Sequence, residues 1–492
     1  MIRATTGGVM KTYRRNLMSS FIASNKARET VLTQRVFNSY AEDPASAAKA
    51  FRLRKSRMTV NAQHDVCFDT LKKHETAYSC LQSVSELIDT ENGTGYSTLK
   101  DTTLRMLNDP EGSARTQLAK VLDQISESVI QNMNQKYGDI FIFAGADGHN
   151  VPFEVKEVDG MNKLYYRGVP VDAAEPKLMD DSTGNAVMLN GDYVLANATL
   201  VSADKLPALE PDPASTGDPL TVTSASGGKA FYVKAGATGS ATEPAANPED
   251  YTEVSDGNGQ SVYYLTSDLV DKTDYDSNMA SVIKDANGNP DPVTIGTDTY
   301  YVVQGGTMTE EEYKTAMTDA AKLKVLMDEK KYVDIGLGFQ ENENDQLIAS
   351  SAYNTALHGP AFIGYGLDED GDPKNVYSLV QEMKRIADSV GEGEEWTTEQ
   401  YDEFYGLVQK FEKSSTEFKT AFTNHAAGTT KLENNEKLLS ENFYNLKEQY
   451  SDLEDVDMVE AISSFLWAEY AYNAALKVGN SVLSQSLMDY IS

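Results

Sequence analysis

Residues Ile142–Val155, IFAGADGHNVPFEV, divide the sequence into two kinds of chain. Upstream runs a long helical pattern rich in Gln, Asn and Leu. Downstream, for about two hundred residues, Gly, Pro, Asp, Ala and Thr punctuate short β-rich runs. Gly145 and Gly148 have access to turn conformations closed to most residues, so Ala144-Gly145 reads as the end of the chain's third helix. Pro152-Phe153 reads as the anchor of the first strand of an outer domain. The stretch is therefore the expected exit from a helical body.

Working upstream, three helices are expected. The first spans about Thr5 to Asn38, with Met10, Tyr13, Leu17 and Phe21 at three- and four-residue steps. The second opens at EDPASAAKA, where Asp43 is a good N-cap and Pro44 fits the first helical position, its missing N–H costing nothing there. Within it Cys67, Leu71, His74, Tyr78 and Leu81 step 4-3-4-3, a heptad seam. It frays at TENGTGYS (Thr90–Ser97), and the third helix follows Asp109-Pro110 with Leu118, Leu122, Ile125 and Val129.

Downstream, the β-rich region holds KLYYRGVPV, AFYVKAG, SVYYLT and DTYYVVQGG. A weak repeat relates DPLTV, FYVKAG and PEDYTEV to DPVTI, YYVVQGG and EEEYKTAM, predicting two similar small β modules. EPDPASTGDP (Glu210–Pro219) reads as a linker. Helix then returns over Val376–Ala387, and TTEQ at Thr397 is a capping box in which Gln400 reaches back. A long helix follows with the seam Leu439, Phe443, Leu446, Tyr450 and Leu453. After a break at SDLEDVD, a last helix starts near Asp457, carries Glu460 at the capping-box position and runs to SQSLMDYIS.

Helices with such narrow seams bury little alone and need partners. The predicted fold is α+β: a long antiparallel, coiled-coil-like helical bundle made by the N- and C-terminal segments, with a discontinuous β-rich outer domain inserted in the middle. The expected division is 1–42 with 457–492 as terminal assembly segments, 43–150 with 363–456 as helical core, 151–202 with 307–362 as outer domain, and 203–306 as an additional module.

Charge narrows the partners. The 492 residues carry a net charge of −32, which disfavours nucleic acid and anionic membranes. No apolar run approaches the ~18 residues of a membrane span, and MIRATTGGVMKTYRRNLMSS lacks a signal peptide's apolar stretch and cleavage site, so any export is expected by another route. The charge is uneven. Met1–Arg57 has twelve basic and three acidic residues, a net of about +9, and Glu433–Ser492 has eleven acidic and three basic, about −8. The ends are expected to pair with each other or with copies of the chain. Cys67 and Cys80, 13 residues apart on one helix, are out of disulfide reach and read as buried small hydrophobes.

No catalytic constellation emerges. The five histidines form no HExxH, and neither GxxxxGK[ST] nor GxSxG occurs. Asp368, Asp370 and Asp372 alternate as in a calcium loop, but Pro373 and Leu379 stand where an EF-hand wants Gly and Glu. DANGNPD (Asp285–Asp291) fails similarly, and Asn92-Gly-Thr94 is a short glycosylation motif that occurs often by chance. No cofactor, metal or catalytic residue is expected.

Four stretches resemble one family. YAEDPASAAKAFRLRKSRM (Tyr40–Met58), QKYGDIFIFAGADGHNVPFEV (Gln135–Val155), GPAFIGYGLDEDGDPKNVYSLVQEM (Gly359–Met383, with Gly364 and Gly366) and the C-terminal SDLEDVDMVEAI and SLMDYIS resemble the FlgL, or hook-associated protein 3, family of the flagellin superfamily. The match covers about 60% of the chain and leaves out Ala203–Gly306. Asp455, Asp457 and Glu460 are shared with flagellin, as superfamily signature; the FAG…PF junction (Ala144, Gly145, Pro152, Phe153) is the discriminating piece. Ser486, Leu487, Asp489 and Tyr490 belong to the terminal signature. One departure is a C-terminal seam carrying Phe465, Trp467, Tyr470 and Tyr472, where the family is usually Gln- and Leu-rich.

The resemblance implies a non-enzymatic structural part of the bacterial flagellum, exported by the type III apparatus. It implies a ring between a FlgK-like first hook-associated protein and the flagellin filament, and an export chaperone on the C-terminal segment. The alternatives are a divergent flagellin, or a flagellin-like protein whose outer domain binds glycans through Tyr263, Tyr264, Tyr300 and Tyr301, for which strand-face packing is the plainer reading.

Overall fold

The computed structural model describes residues 6–39, 41–89, 98–109, 114–158, 160–181, 183–213, 215, 218–225, 228–244, 247–255, 260–285, 287–344, 346–390 and 395–491. The helices among them are α1 (Thr6–Thr33), α2 (Pro44–Ile88), α3 (Leu99–Leu107), α4 (Arg115–Met133), α5 (Lys272–Ser281), α6 (Glu310–Asp328), α7 (Pro360–Ile363), α8 (Val376–Ser389), α9 (Thr398–Glu454) and α10 (Met458–Ile491). The class is α+β, with long helices at both ends and a β-rich middle.

Side chains set the helix starts by satisfying amides that have no partner inside the helix. Asp43 accepts from the Ala45 and Ser46 amides and opens α2. Asn375 accepts from the Ser378 amide and opens α8. Thr397 and Gln400 exchange both bonds of a capping box at α9, and Asp457 accepts from Val459 and Glu460 to open α10.

The chain forms two units. The first comprises Met1–Cys80, Lys330–Ala356 and Phe422–Ser492. Its stretches of α2 and α9 run antiparallel, with Cys67 Sγ against the Leu432 carbonyl at 3.8 Å and His64 Nε2 3.0 Å from Glu436. Val60, Cys67, Leu71, Ile335, Leu432 and Leu439 make one core, closed by Val333 and Tyr353 of the short hairpin 332–333/353–354. Phe37, Ala47 and Ala50 make a second with Tyr450 and Leu453. The predicted α9 seam thus lines both cores.

The second unit comprises Leu81–Glu329 and Leu357–Ala421. α4 packs on α8, and Asp123 on α4 accepts from Gln381 and Lys384 on α8. The sheets are antiparallel. A five-stranded one runs in the order 261–265, 251–255, 221–224, 230–233, 269–271, over a core of Val222, Val233 and Val254. Three-stranded sheets join 292–295, 298–302 and 200–202, then 307–308, 192–194 and 188–189, then 153–158, 161–166 and 169–170.

The fold differs from expectation in several places, each with a physical cause. Ala144-Gly145 does not end a helix: α4 stops at Met133, and residues 144–145 form a strand paired with 357–358. The Asn134 amide explains the early stop, because its Oδ1 and Nδ2 take the Phe153 N–H and carbonyl at 3.0 Å each and tie the incoming strand to the helix end. Gly148 is required for space, not for a turn conformation: a Cβ there would lie 2.0 Å from Ile140 Cγ2.

The β-rich middle also holds α5 and α6, and the latter is opened by a Thr309–Glu312 capping box inside the supposed third arm of the repeat. The first two arms do correspond, as hairpins 221–224/230–233 and 292–295/298–302, but the third is a strand in one and a helix in the other. In the stretch Glu210–Pro219, read as a linker, Pro211 is bridged to Pro219 and the Asp212 amide donates to the Asp218 carbonyl. α3 (Leu99–Leu107) is not anticipated from the sequence. Asn92-Gly-Thr94 and Pro110 lie outside the described residues.

Candidate functional site

α1 and α10 of the first unit carry an unbroken heptad pattern that only the structure puts in phase. On α1 the inward positions are Met10, Tyr13, Leu17, Ser20, Ser24, Ala27 and Val31; on α10 they are Met458, Ala461, Phe465, Ala468, Tyr472, Ala475 and Gly479. Each series steps 3-4-3-4-3-4, the spacing of a two-helix seam. The helices are antiparallel, since Tyr13 meets Gly479 while Phe21 lies 5.6 Å, ring to ring, from Tyr472. Small residues at alternate positions bring the backbones close.

α10 has a second apolar face. Val459, Ile462, Leu466, Trp467 and Tyr470 point away from the seam, and Val459, Trp467 and Tyr470 are 76%, 75% and 76% exposed. On α1, Met18 and Ile22 are likewise exposed. A helix apolar on both sides is built to be covered on both sides, and a contiguous exposed stripe of this kind marks an interaction surface. The four C-terminal aromatics taken as one seam therefore split: Phe465 and Tyr472 face α1, Trp467 and Tyr470 face outward.

The base of the pair is a built joint. After α1 the chain turns at Gln34, whose φ is +58°, and runs beside the α9–α10 break. The Val36 amide donates to the Glu454 carbonyl at 2.8 Å and the Val456 amide to the Gln34 carbonyl at 3.2 Å. The Glu454 carboxylate, 5% exposed, takes Arg35 at 3.1 Å and Arg54 at 3.3 Å. Arg54 also donates to Tyr450 Oη, and Arg57 stacks 4.9 Å over that ring. Here the opposite end charges meet. Glu454 was not singled out from sequence; the signal for it was the surplus of arginine at one end facing acid at the other.

The predicted motif residues fall in two places. In the first unit, Asp43 caps α2, with Ser46 holding its carboxyl below the ordinary range. Pro44 is the first residue of α2. Asp455 accepts from Ser451 at 2.6 Å and pairs its backbone with that of Arg35 in an isolated β-bridge, Asp457 caps α10, and Glu460 lies exposed in its first turn. Ser486, Leu487, Asp489 and Tyr490 are on α10, their side chains outside the described set.

In the second unit, Ala144 and Gly145 pair with His358 and Leu357. Gly145 has φ +74° and leaves no room for a Cβ, which would lie 2.6 Å from His358 Nδ1. Buried Pro152 accepts the Arg167 amide, and buried Phe153 packs 5.2 Å from the Tyr166 ring. Gly364 (φ +92°) faces the Lys374 carbonyl, and Gly366 (φ +75°) donates to the Val171 carbonyl.

Titratable groups have structural explanations. Lys410 Nζ sits 2.7, 2.7 and 2.5 Å from Asp368, Asp370 and Asp372, a lysine in the position a cation would need. Burial pulls its ammonium down, and the three carboxylate bonds outweigh it, holding it above its ordinary value. Burial raises Asp172 to about 6 against the bonds it accepts from Ser378 and Asn375. Buried His74 stacks on His425 at 5.1 Å and is pushed down to about 3 by burial, by His425 and by Lys73. Tyr264, Tyr300 and Tyr301 pack against the strand cores.

No family model and no curated protein matches the chain. Solved structures similar to it are flagellar. FlgL of Xanthomonas campestris superposes with a TM-score of 0.31 and 11% identity, over 82% of this chain and 99% of that one. Flagellar hook-associated protein 3 of Legionella pneumophila gives 0.32 and 10%, over 83% and 98%, and the flagellar junction protein FlgL from the same organism 0.30 and 10%, over 82% and 99%. TM-scores below 0.5 establish no common fold, so the functional reading rests on the chain's own residues. Among the described residues, no helix is long and apolar enough to cross a membrane.

Proposed function

We propose that this chain is a structural component of the bacterial flagellum, placed where the hook meets the flagellin filament, and that it assembles through its terminal helices. One observation carries the assembly half: α10 spends one apolar face on α1 and leaves a second, with Trp467 and Tyr470, uncovered. The flagellar half is supported by the motif resemblance at Asp43-Pro44, Ala144-Gly145, Pro152-Phe153 and Asp455–Glu460.

In this reading 1–42 and 457–492 are the polymer-forming segments, 43–150 and 363–456 the supporting core, and 151–202 with 307–362 the outer domain bearing the 203–306 insertion. Self-association makes a ring on the flagellar axis. A FlgK-like protein lies on one side and flagellin on the other, outside the cell, and an export chaperone covers the C-terminal face until assembly. No step of bond chemistry is assigned to the chain. Seam helices of marginal stability order when partners arrive, which discourages premature polymerisation. Deleting the gene tests the proposal: hooks persist while flagellin is shed into the medium. Normal filaments in the deletion would refute it.

A further inference from the structure

Near the start of α2 an open groove of about 680 Å³ is lined by Pro44, Ala47, Ala48 and Phe51, with Arg52 and Lys55 on its wall. Phe51 is 59% exposed, so the largest apolar side chain of the lining is uncovered. Arg52 and Lys55 are exposed and have no ionic partner among the described residues. The outer stripe of α10 is its chemical complement: Trp467 and Tyr470 flanked by Glu460 and Glu469, both exposed and likewise without ionic partners among the described residues.

We propose that the α2 groove of one copy receives the outer stripe of α10 from a second copy, with Trp467 seated against Phe51 and beneath Arg52, and Glu469 and Glu460 facing the basic wall. The proposal rests on the assembly reading above and specifies its contact. The groove volume accommodates an indole and an adjacent aliphatic side chain. A guanidinium over the indole face adds a cation–π attraction, and the two unpaired charge sets become paired. Groove and stripe are different surfaces, so the contact is heterologous: each copy offers both halves, and repetition closes a ring or propagates a helix, unlike a two-fold dimer that uses one patch twice.

Mixed disulfide trapping with the full chain tests this. Native Cys67 and Cys80 are buried. Phe51→Cys and Trp467→Cys variants are mixed under assembling conditions, oxidised, and resolved on non-reducing gels, with the exposed Leu32→Cys as control partner for each. The expected result is a cross-variant dimer in clear excess over both control mixtures, and a ladder of oligomers from the double-cysteine chain. As a charge test, Arg52→Glu with Lys55→Glu weakens assembly by on the order of tenfold, and Glu460→Lys with Glu469→Lys restores it. Assembly that proceeds with cross-variant trapping no higher than the controls overturns this contact and leaves the flagellar reading standing. Trapping only between identical variants also overturns it, in favour of a two-fold dimer.

Discussion

Tyr13 closes on Gly479: a Cβ built at position 479 would lie 1.8 Å from the Tyr13 hydroxyl oxygen. The ring of one helix fills a notch that only glycine leaves in the other, near the far end of a seam whose base is fixed by Arg35 and Glu454. This contact sets both the register and the separation of α1 and α10. Gly479→Val is expected to weaken the pairing by roughly 1–3 kcal/mol, the usual cost of overpacking. The measurement is proteolytic protection of α1 in the assembled protein. Tyr13→Ala in the same chain should restore protection; a double variant as unprotected as the single one would show that this contact does not set the pairing.

Acid should loosen the first unit through its histidine pair. His74 is buried, stacked on His425 and edge-on to Tyr353 at 5.6 Å, and its two ring nitrogens have no hydrogen-bond partner. Lys73 lies beside it, lowered to about 8 by burial and by Lys331, and His425 is itself lowered by burial. The sign follows from a folded pKa of about 3 against an ordinary 6.5. The neutral form is native, its contribution is complete above pH 6.5, and it is lost progressively as pH falls towards 3. Between pH 6.5 and 4 the urea stability should drop by about 2–3 kcal/mol from this residue. A His74→Leu chain should show a shallower slope over that window, and an unchanged slope would contradict the assignment.

Glu454 joins both ends of the chain, so its removal should be felt out of proportion to one side chain. Glu454→Gln keeps the shape and the backbone bonds to Val36 but removes the charge that Arg35 and Arg54 share. Because both arginines are more than one-third exposed, solvent screening limits the loss to about 1–2 kcal/mol. Thermal unfolding at low and high salt checks it. The difference between native and variant should shrink as salt rises, and a salt-independent difference would point to packing instead.

The legible parts of this sequence were those with a strong period or a specific cap. Asp43-Pro44, Thr397–Gln400 and Asp457 announce helix starts, and Leu439 to Leu453 announces a seam. The phase of α10 was not legible, because Phe465, Trp467, Tyr470 and Tyr472 spread apolar surface around the helix and no single face wins until α1 is in place. Phe21, expected in the α1 seam, flanks it for the same reason. Strands of two residues, such as 144–145, carry no alternation to read. The stop at Met133 depends on Asn134 finding Phe153, a contact nineteen residues away that local pattern does not encode. Glu454 is one acid among many until Arg35 and Arg54 surround it.

Gly145 offers a sharp test of the junction stretch. With φ at +74° and His358 Nδ1 only 2.6 Å from where a Cβ would stand, Gly145→Ala meets both backbone strain and a clash. The expected loss in the second unit is about 1–3 kcal/mol. Hydrogen exchange at the amides of 143–145 and 357–359 checks it: protection there should fall first, ahead of the five-stranded sheet. Uniform destabilisation would contradict a local role.

As proposed, this chain is a junction part and not a bulk filament subunit. The most direct test is electron microscopy of sheared flagella carrying an immunogold label against residues 203–306. Label is expected in a short band at the hook–filament boundary. Label distributed along the whole filament would contradict the proposal and make the chain a flagellin.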